Sequence, residues 1–346
     1  MRPGEWILRT GFRSAARIFY RNADQADWIY EKVHRPGNVF VLGMNVLHYL
    51  TRRPKIHGFV SVVLEPMSAC NLRCVYCWGE LEDRLKDARP RQMDWPLFQQ
   101  IVDQSPPSVE SITIGGQGEP LMHPRLGDMV DYVVEKGKRA ILYTNGTLLS
   151  GDRLERLAQT PLSVLNLSIE PDAATCREYR GVDLEELKQN IAAYRERKQP
   201  MTEVKLSMVA HPGNLDRLAG VYEIWDGLID GVKISPQFGL REKSERVSCM
   251  EPWRGNLYIT TSGKVTTCCF DCFEELAVGD LHQQTLTEVI EGDALQDFLR
   301  RMLSDSPPER CCSCSQFNAP RIPIRAPRRV LKQDGGLMRP GRLPVA

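Results

Sequence analysis

Three cysteines fall within eight residues, Cys70-Asn71-Leu72-Arg73-Cys74-Val75-Tyr76-Cys77, dense enough for one loop to wrap its thiolates around an inorganic centre. Iron–sulfur clusters take thiolate ligands at their irons. Three local ligands satisfy three of four irons, and the fourth can then accept an exogenous ligand, much as a catalytic zinc differs from a closed structural one. Structural zinc is one competing reading. Another is a set of buried apolar cysteines, because spacings of four and three put all three side chains on one helix face. Against the latter, the segment follows Pro66 and an apolar run directly, and Asn71 and Arg73 fit no core pattern.

A second set lies far downstream. Cys249 is followed by thirteen residues, Gly263, four more residues and Cys268; Cys311 and Cys314 then form a CxxC pair. Gly263 suits a tight hairpin turn at Thr261-Ser262-Gly263-Lys264 that brings the flanking cysteines together. Three further thiols compete as ligands: Cys269 and Cys272 make a CxxC of their own, and Cys312 stands next to Cys311 as a substitute. Four thiolates on paired hairpins also suit tetrahedral zinc. Of eleven cysteines only Cys176 stands alone, and a buried inert side chain is its simplest reading.

The elements that must position these residues alternate regularly. Short β-branched runs at Phe59–Leu64, Ser111–Ile114, Ala140–Tyr143, Val164–Leu167, Val204–Met208 and Val232–Ile234 are separated by longer helical patterns. Six strand-plus-helix units predict parallel strands joined by crossover helices, as an open doubly wound sheet or a barrel. The residues with chemical character follow the strands at once: the cysteine loop after the first, Gly116-Gln117-Gly118-Glu119-Pro120 after the second, Thr144-Asn145-Gly146 after the third, and Ser168-Ile169-Glu170 at the end of the fourth. In β/α folds that edge binds ligands.

These motifs together resemble the radical S-adenosylmethionine superfamily, whose signature is a CxxxCxxC loop after a first strand with an aromatic (here Tyr76) before the last cysteine. The resemblance implies that Cys70, Cys74 and Cys77 hold a [4Fe-4S] cluster whose open iron is chelated by the methionine amine and carboxylate of S-adenosylmethionine. Reductive cleavage of that cofactor then releases a 5′-deoxyadenosyl radical. Gly118 and Glu119 resemble the element that holds the methionine amino group, and Asn145 lies in the third-strand motif. Ser168 resembles the serine that faces the ribose, and Arg180, in Tyr179-Arg180-Gly181, the residue that pairs with the methionine carboxylate. A zwitterion calls for an anion near its ammonium and a cation near its carboxylate. Glu170-Pro171 departs from the Asp-Gly commonly found there.

By the same resemblance the fold is a partial (β/α)6 barrel, open on one side, followed by a small iron–sulfur module. The spacing of Cys249, Gly263, Cys268, Cys311 and Cys314 resembles the opening of the SPASM motif. No cysteine follows Cys314, so the four-cysteine version is similar to the twitch subdomain with a single, fully ligated auxiliary [4Fe-4S] cluster. Such a cluster passes an electron rather than binding substrate, which favours net oxidation over a redox-neutral outcome such as epimerisation. Cys176 has a second reading as a thiol that returns hydrogen to a substrate radical.

The chain has 346 residues, 42% of them hydrophobic, with 45 basic against 44 acidic side chains and a net charge of +1. That is near the average for a soluble globular protein, and nothing in it calls for nucleic acid. The longest apolar stretch, Val39–Leu50, is interrupted by Asn45 and His48 and falls short of the ~20 residues of a membrane span. Met1–Tyr20 carries four arginines but no secretory signal, which leads to the expectation of a cytoplasmic protein. The expected parts are a basic helical extension over 1–56 with Phe12, Ala15, Ile18 and Phe19 at helical spacing, the barrel over 57–247, the auxiliary module over 248–317, and a flexible basic, proline-rich tail over 318–346. The extension is expected to pack on the core rather than lie on a membrane surface. The expected partners are a small-molecule or peptide substrate and an electron donor such as flavodoxin or ferredoxin. Fifty-six residues before the first strand are few for the leader-binding domain of peptide-modifying relatives, which favours a sugar, lipid or cofactor precursor. A peptide-modifying maturase or epimerase is the alternative, and a non-catalytic iron–sulfur carrier or scaffold is the alternative from another class.

Overall fold

The computed structural model describes residues 35–77, 91–236, 249–312, 314, 330–331 and 337–338. The expected helix around Phe12, Ala15, Ile18 and Phe19 lies outside the described residues. The six expected strands all form: β1 Ser61–Leu64, β2 Ser111–Ile114, β3 Arg139–Thr144, β4 Val164–Ser168, β5 Glu203–Ala210 and β6 Gly231–Pro236. Each pairs in parallel with its sequence neighbour, as crossover helices require.

Strand side chains alternate between faces, and the two faces differ in chemistry. Val62, Leu64, Ile112, Ile114, Ala140, Leu142, Leu165, Leu167, Val204 and Leu206 join one hydrophobic core with helix residues such as Phe98, Ile101, Met129, Val133, Leu157 and Ile191. On the opposite face stand Ser61, Ser111, Thr113, Tyr143, Asn166, Ser207 and Lys233, interspersed with Val63, Ile141 and Val164. Lys233 on β6 donates to the Tyr143 hydroxyl on β3 at 2.8 Å. A contact reaching over the two intervening strands requires the sheet to curl, so this more polar face becomes the inside of a partial barrel.

The helices start where the sequence places capping side chains. Asp94 accepts from the Leu97 N–H at 2.8 Å to begin the helix Trp95–Gln104, and Asp172 from the Thr175 N–H at 2.9 Å to begin Ala173–Arg180. The latter helix ends at Gly181 in the left-handed region, φ 68°, which fixes Arg180 as its last residue. In the helix Pro36–Leu50, Asn45 donates to the Gly58 carbonyl at 2.9 Å and accepts from the His57 N–H at 2.6 Å. The polar interruption of that apolar stretch therefore ties the helix to the segment entering β1.

The cysteine-rich region does not stand apart from the sheet. β7 (Asn256–Ile259) pairs in parallel with β1, and β8 (Lys264–Thr266) and β9 (Gly279–Asp280) follow antiparallel. The resulting nine-stranded order is β6-β5-β4-β3-β2-β1-β7-β8-β9. Leu257 and Ile259 extend the same buried apolar face, which is why a short strand after a composition shift still joins the barrel. The turn expected at Gly263 forms, with φ 75°. In the tail, Val330–Leu331 and Leu337–Met338 pair antiparallel. No helix among the described residues is long and apolar enough to cross a membrane.

Candidate active site

The cysteine loop leaves β1 and passes over the carboxyl ends of the first strands. The Glu119 N–H donates to the Ala69 carbonyl at 2.9 Å, the Val75 N–H to the Tyr179 carbonyl at 2.9 Å, and the Cys77 N–H to the Cys74 carbonyl at 3.0 Å. Gly118 is required here by contact: a Cβ would lie 2.2 Å from the Met67 carbonyl oxygen and 2.6 Å from that of Ala69. The Asn145 amide donates to the Asn71 side chain at 2.9 Å and approaches the Cys70 sulfur at 3.8 Å. The third-strand motif therefore orders the cysteine loop itself.

Glu119 is buried at the centre of this edge. One carboxylate oxygen accepts from the Thr144 hydroxyl at 2.5 Å and the Leu121 N–H at 2.9 Å, the other from the Asn145 N–H at 2.8 Å. Burial raises its pKa above the ordinary carboxylate range, opposed by those three donors. A cation set beside it would favour the charged form, as the ammonium of a bound methionine would.

Glu170 organises the fourth-strand side. One oxygen accepts from Tyr76 Oη and from Arg180 Nε at 3.0 Å, the other from His211 Nε2 at 3.1 Å and Asn214 Nδ2 at 2.7 Å. Tyr76 comes from the cysteine loop, Arg180 from the helix end, and His211 and Asn214 from the turn after β5. Ser168, half-buried at the end of β4, is level with Ser207. Of the residues proposed from sequence on this edge, Gly118, Glu119 and Asn145 contact the cysteine loop and Arg180 meets its Tyr76 through Glu170, whereas Ser168 lies at the end of β4. Glu170, His211 and Asn214 were not among them. The departure of Glu170 from the common Asp was the available signal for the first; no spacing pointed to the other two.

The chemistry of the thiols fits iron–sulfur ligation. Cys70 and Cys74 both lie close enough to Cys77 for its charge to bear on them, and burial pushes Cys74 up to about 11, against the lowering effect of Arg180. In the second set Cys249 interacts with Cys314, Cys268 with Cys249, and Cys311 with Cys314, so the four expected ligands share one neighbourhood. Burial pushes Cys249 and Cys311 up to about 12. Such thiols stay protonated by themselves, and a bound metal supplies the positive charge that deprotonates them. No three described His, Cys, Asp or Glu side chains converge on a single-ion site; a cubane spreads its thiolates over separate irons and asks for a wider set. Cys269, half-buried near Tyr258, Glu251 and Cys249, buried Cys272 and exposed Cys312 are the competing ligands.

Glu65, another buried carboxylate missed from sequence, links the two cysteine regions. It accepts from the Gln117 N–H at 3.2 Å beside the barrel edge and from the Thr261 N–H at 3.3 Å in the Gly263 turn. Its signal was a lone charge directly after an apolar strand.

Comparison with known proteins agrees with this geometry. Residues 64–222 match the family model of the radical SAM superfamily, and residues 249–315 match SPASM, an iron–sulfur cluster-binding domain. A cofactor-modifying protein for tungsten-containing aldehyde ferredoxin oxidoreductase from Pyrococcus furiosus is 39% identical over 110 residues, covering 31% of this chain and 30% of that protein. The match to Fe-coproporphyrin III synthase of Methanosarcina barkeri likewise spans 30% of the relative's length. The S-adenosyl-L-methionine-dependent 2-deoxy-scyllo-inosamine dehydrogenase of Niallia circulans is 25% identical over 269 residues, 75% of this chain and 93% of that protein. Among solved structures, Streptococcus suis SuiB bound to S-adenosylmethionine superposes with TM-score 0.57 at 14% identity, over 79% of this chain and 72% of that one. Native anSMEcpe with bound AdoMet gives TM-score 0.56 at 14% identity, over 81% of this chain and 93% of that one. With both domain models matched in order along one continuous sheet, this chain carries a radical SAM domain, with the [4Fe-4S] cluster and S-adenosylmethionine that such a domain implies, and a SPASM domain for auxiliary iron–sulfur.

Proposed function

We propose that the chain abstracts hydrogen from a small polar molecule in a biosynthetic oxidation. Bound at the carboxyl edge of the barrel, the cluster and S-adenosylmethionine supply a hydrogen-abstracting radical, and the protein positions both. Cys70, Cys74 and Cys77 hold the cluster; Glu119 receives the methionine ammonium, Arg180 the carboxylate, and Ser168 the ribose. Cys249, Cys268, Cys311 and Cys314 hold an auxiliary cluster that accepts the electron left on the substrate, with flavodoxin or ferredoxin as the donor class for the first cluster.

The observation that carries the substrate class is the set of polar side chains on the inner face of the barrel. Barrel interiors are ordinarily packed with branched aliphatic side chains. Here Thr113, Tyr143, Asn166, Ser207 and Lys233 share that face with Val63, Ile141 and Val164, so it is mixed rather than wholly aliphatic. Both amide atoms of Asn166 and the Thr113 hydroxyl are buried without a hydrogen-bond partner among the described residues. Buried polar atoms call for partners, and a hydroxylated or aminated small molecule offers them. The Niallia circulans relative, matched along 93% of its length, is named a dehydrogenase, which supports oxidation.

The test is 5′-deoxyadenosine release by reconstituted, reduced protein, challenged with a panel of aminocyclitols, sugars, sugar acids and short peptides. Polyhydroxylated compounds should accelerate release, and Asn166→Leu should remove that acceleration while leaving the uncoupled background. Acceleration by peptides alone would replace this reading with a peptide-modifying one. No 5′-deoxyadenosine from any sample would point to a non-catalytic iron–sulfur protein.

A further inference from the structure

Glu170 is fully buried, yet it is the meeting point of three separate chain segments. A carboxylate offers about four acceptor positions, and all are taken by Tyr76, Arg180, His211 and Asn214. The Gly213 N–H donates to His211 Nδ1 at 3.2 Å, so Nε2 carries the ring proton and donates to Glu170. Among the described residues Arg180 is the permanent cation in contact with Glu170, through Nε at 3.0 Å. Arg180 is itself only 8% exposed, a burial that guanidinium groups tolerate only beside an anion.

Arg180 reaches Glu170 through Nε. Its two terminal nitrogens make no hydrogen bond among the described residues, and its charge bears on Cys74. The guanidinium carbon lies 5.3 Å from the centre of the Tyr76 ring, so the same face of Arg180 looks toward the cysteine loop. A guanidinium gripped along its Nε edge has lost its freedom to rotate, and its remaining edge is a fixed fork of the shape that pairs with a carboxylate.

We propose that Glu170 is the positioning residue for S-adenosylmethionine: it never touches the cofactor, but holds Arg180 by Nε so that the terminal nitrogens stand ready for the methionine carboxylate. Through Tyr76 the same carboxylate ties the cysteine loop to that fork, so the carboxylate anchor and the cluster are set by one buried group. The shorter Asp common at this position would have to shift to reach all four donors. This inference rests on the reading of Arg180 as the carboxylate anchor.

The experiment compares two ligands on anaerobically reconstituted protein by calorimetry: S-adenosylhomocysteine, which keeps the amino-acid group, and 5′-methylthioadenosine, which lacks it. Glu170→Gln keeps the shape but presents an amide N–H₂ to donors and removes the charge beside Arg180. It should weaken S-adenosylhomocysteine by roughly ten- to a hundredfold, the effect typical of a lost charged hydrogen bond, and leave 5′-methylthioadenosine unchanged. Adding Arg180→Met to Glu170→Gln should cost no more than Arg180→Met alone. Equal weakening of both ligands, or additive losses, would reduce Glu170 to a structural role and overturn the proposal. If Glu170→Gln fails to retain its iron, His211→Phe, which removes one donor and keeps the charge pair, should show a smaller loss with the same selectivity. Absence of that selectivity also overturns it. The underlying reading fails separately, and visibly, if Arg180→Met binds S-adenosylhomocysteine as the unaltered protein does.

Discussion

Gly118→Ala isolates the role of close backbone approach at the cofactor edge. The new methyl carbon would lie 2.2 Å from the Met67 oxygen and 2.6 Å from the Ala69 oxygen. Both obstacles are main chain, so relief means displacing the cysteine loop by about 1 Å to reach ordinary carbon–oxygen contact. That movement breaks the 2.9 Å bond from the Glu119 N–H to the Ala69 carbonyl. Overpacking against a well-fixed backbone costs about 1–3 kcal/mol, and one lost buried hydrogen bond adds about 1 kcal/mol. At about 2–4 °C per kcal/mol for a domain of this size, melting of the reconstituted protein should fall by roughly 5–15 °C, with weakened retention of the loop's four irons. Gly43→Ala is the matched control. Its Cβ meets nothing within 4 Å and it lies inside the helix Pro36–Leu50, so it should raise stability by up to about 1 kcal/mol. A Gly118→Ala protein that melts and holds iron like the unaltered one would refute the placement of the cysteine loop over this strand end.

Glu119→Gln should keep both clusters but lose S-adenosylmethionine affinity by about ten- to a hundredfold, measured by calorimetry, because the charge opposite the ammonium is gone. Cys70→Ala/Cys74→Ala/Cys77→Ala should remove one cluster's iron and its spectrum and leave the auxiliary iron in place; loss of all iron would contradict two independent thiol sets. In a folded Cys311→Ala/Cys312→Ala/Cys314→Ala protein, uncoupled 5′-deoxyadenosine should still form with reductant while substrate turnover disappears, and normal turnover would remove the electron-accepting role. Burial holds the Cys249 and Cys311 thiols up to about 12 in the folded state, above the ~8.5 of a free cysteine. The metal-free folded state thus keeps protons that the unfolded chain releases, and its stability should be intact below about pH 8 and fall steadily as pH rises toward 12, followed by denaturant titration. Unchanged stability across that window would mean that these thiols are not buried without metal.

The motifs and their order were legible in the sequence because each is a local matter. A cysteine loop, a Gly-Glu-Pro turn or a CxxC pair is specified by residue types a few positions apart, and strand periodicity places each at a strand end. The alternation of apolar runs likewise announces parallel strands, since each must bury one face under a helix. Three things depended on residues distant in the chain. The choice of a curled sheet over a flat one rests on contacts such as Lys233 to Tyr143, 90 positions apart. The pairing of β7 with β1 makes the cysteine-rich module an extension of the barrel, and no local pattern announces which existing edge a short strand will join. The four donors around Glu170 come from residues 76, 180, 211 and 214; read singly they are an ordinary Tyr, Arg, His and Asn. Burial supplies what sequence lacks here: a charge removed from water must be surrounded by partners, and only the folded chain decides which residues those are.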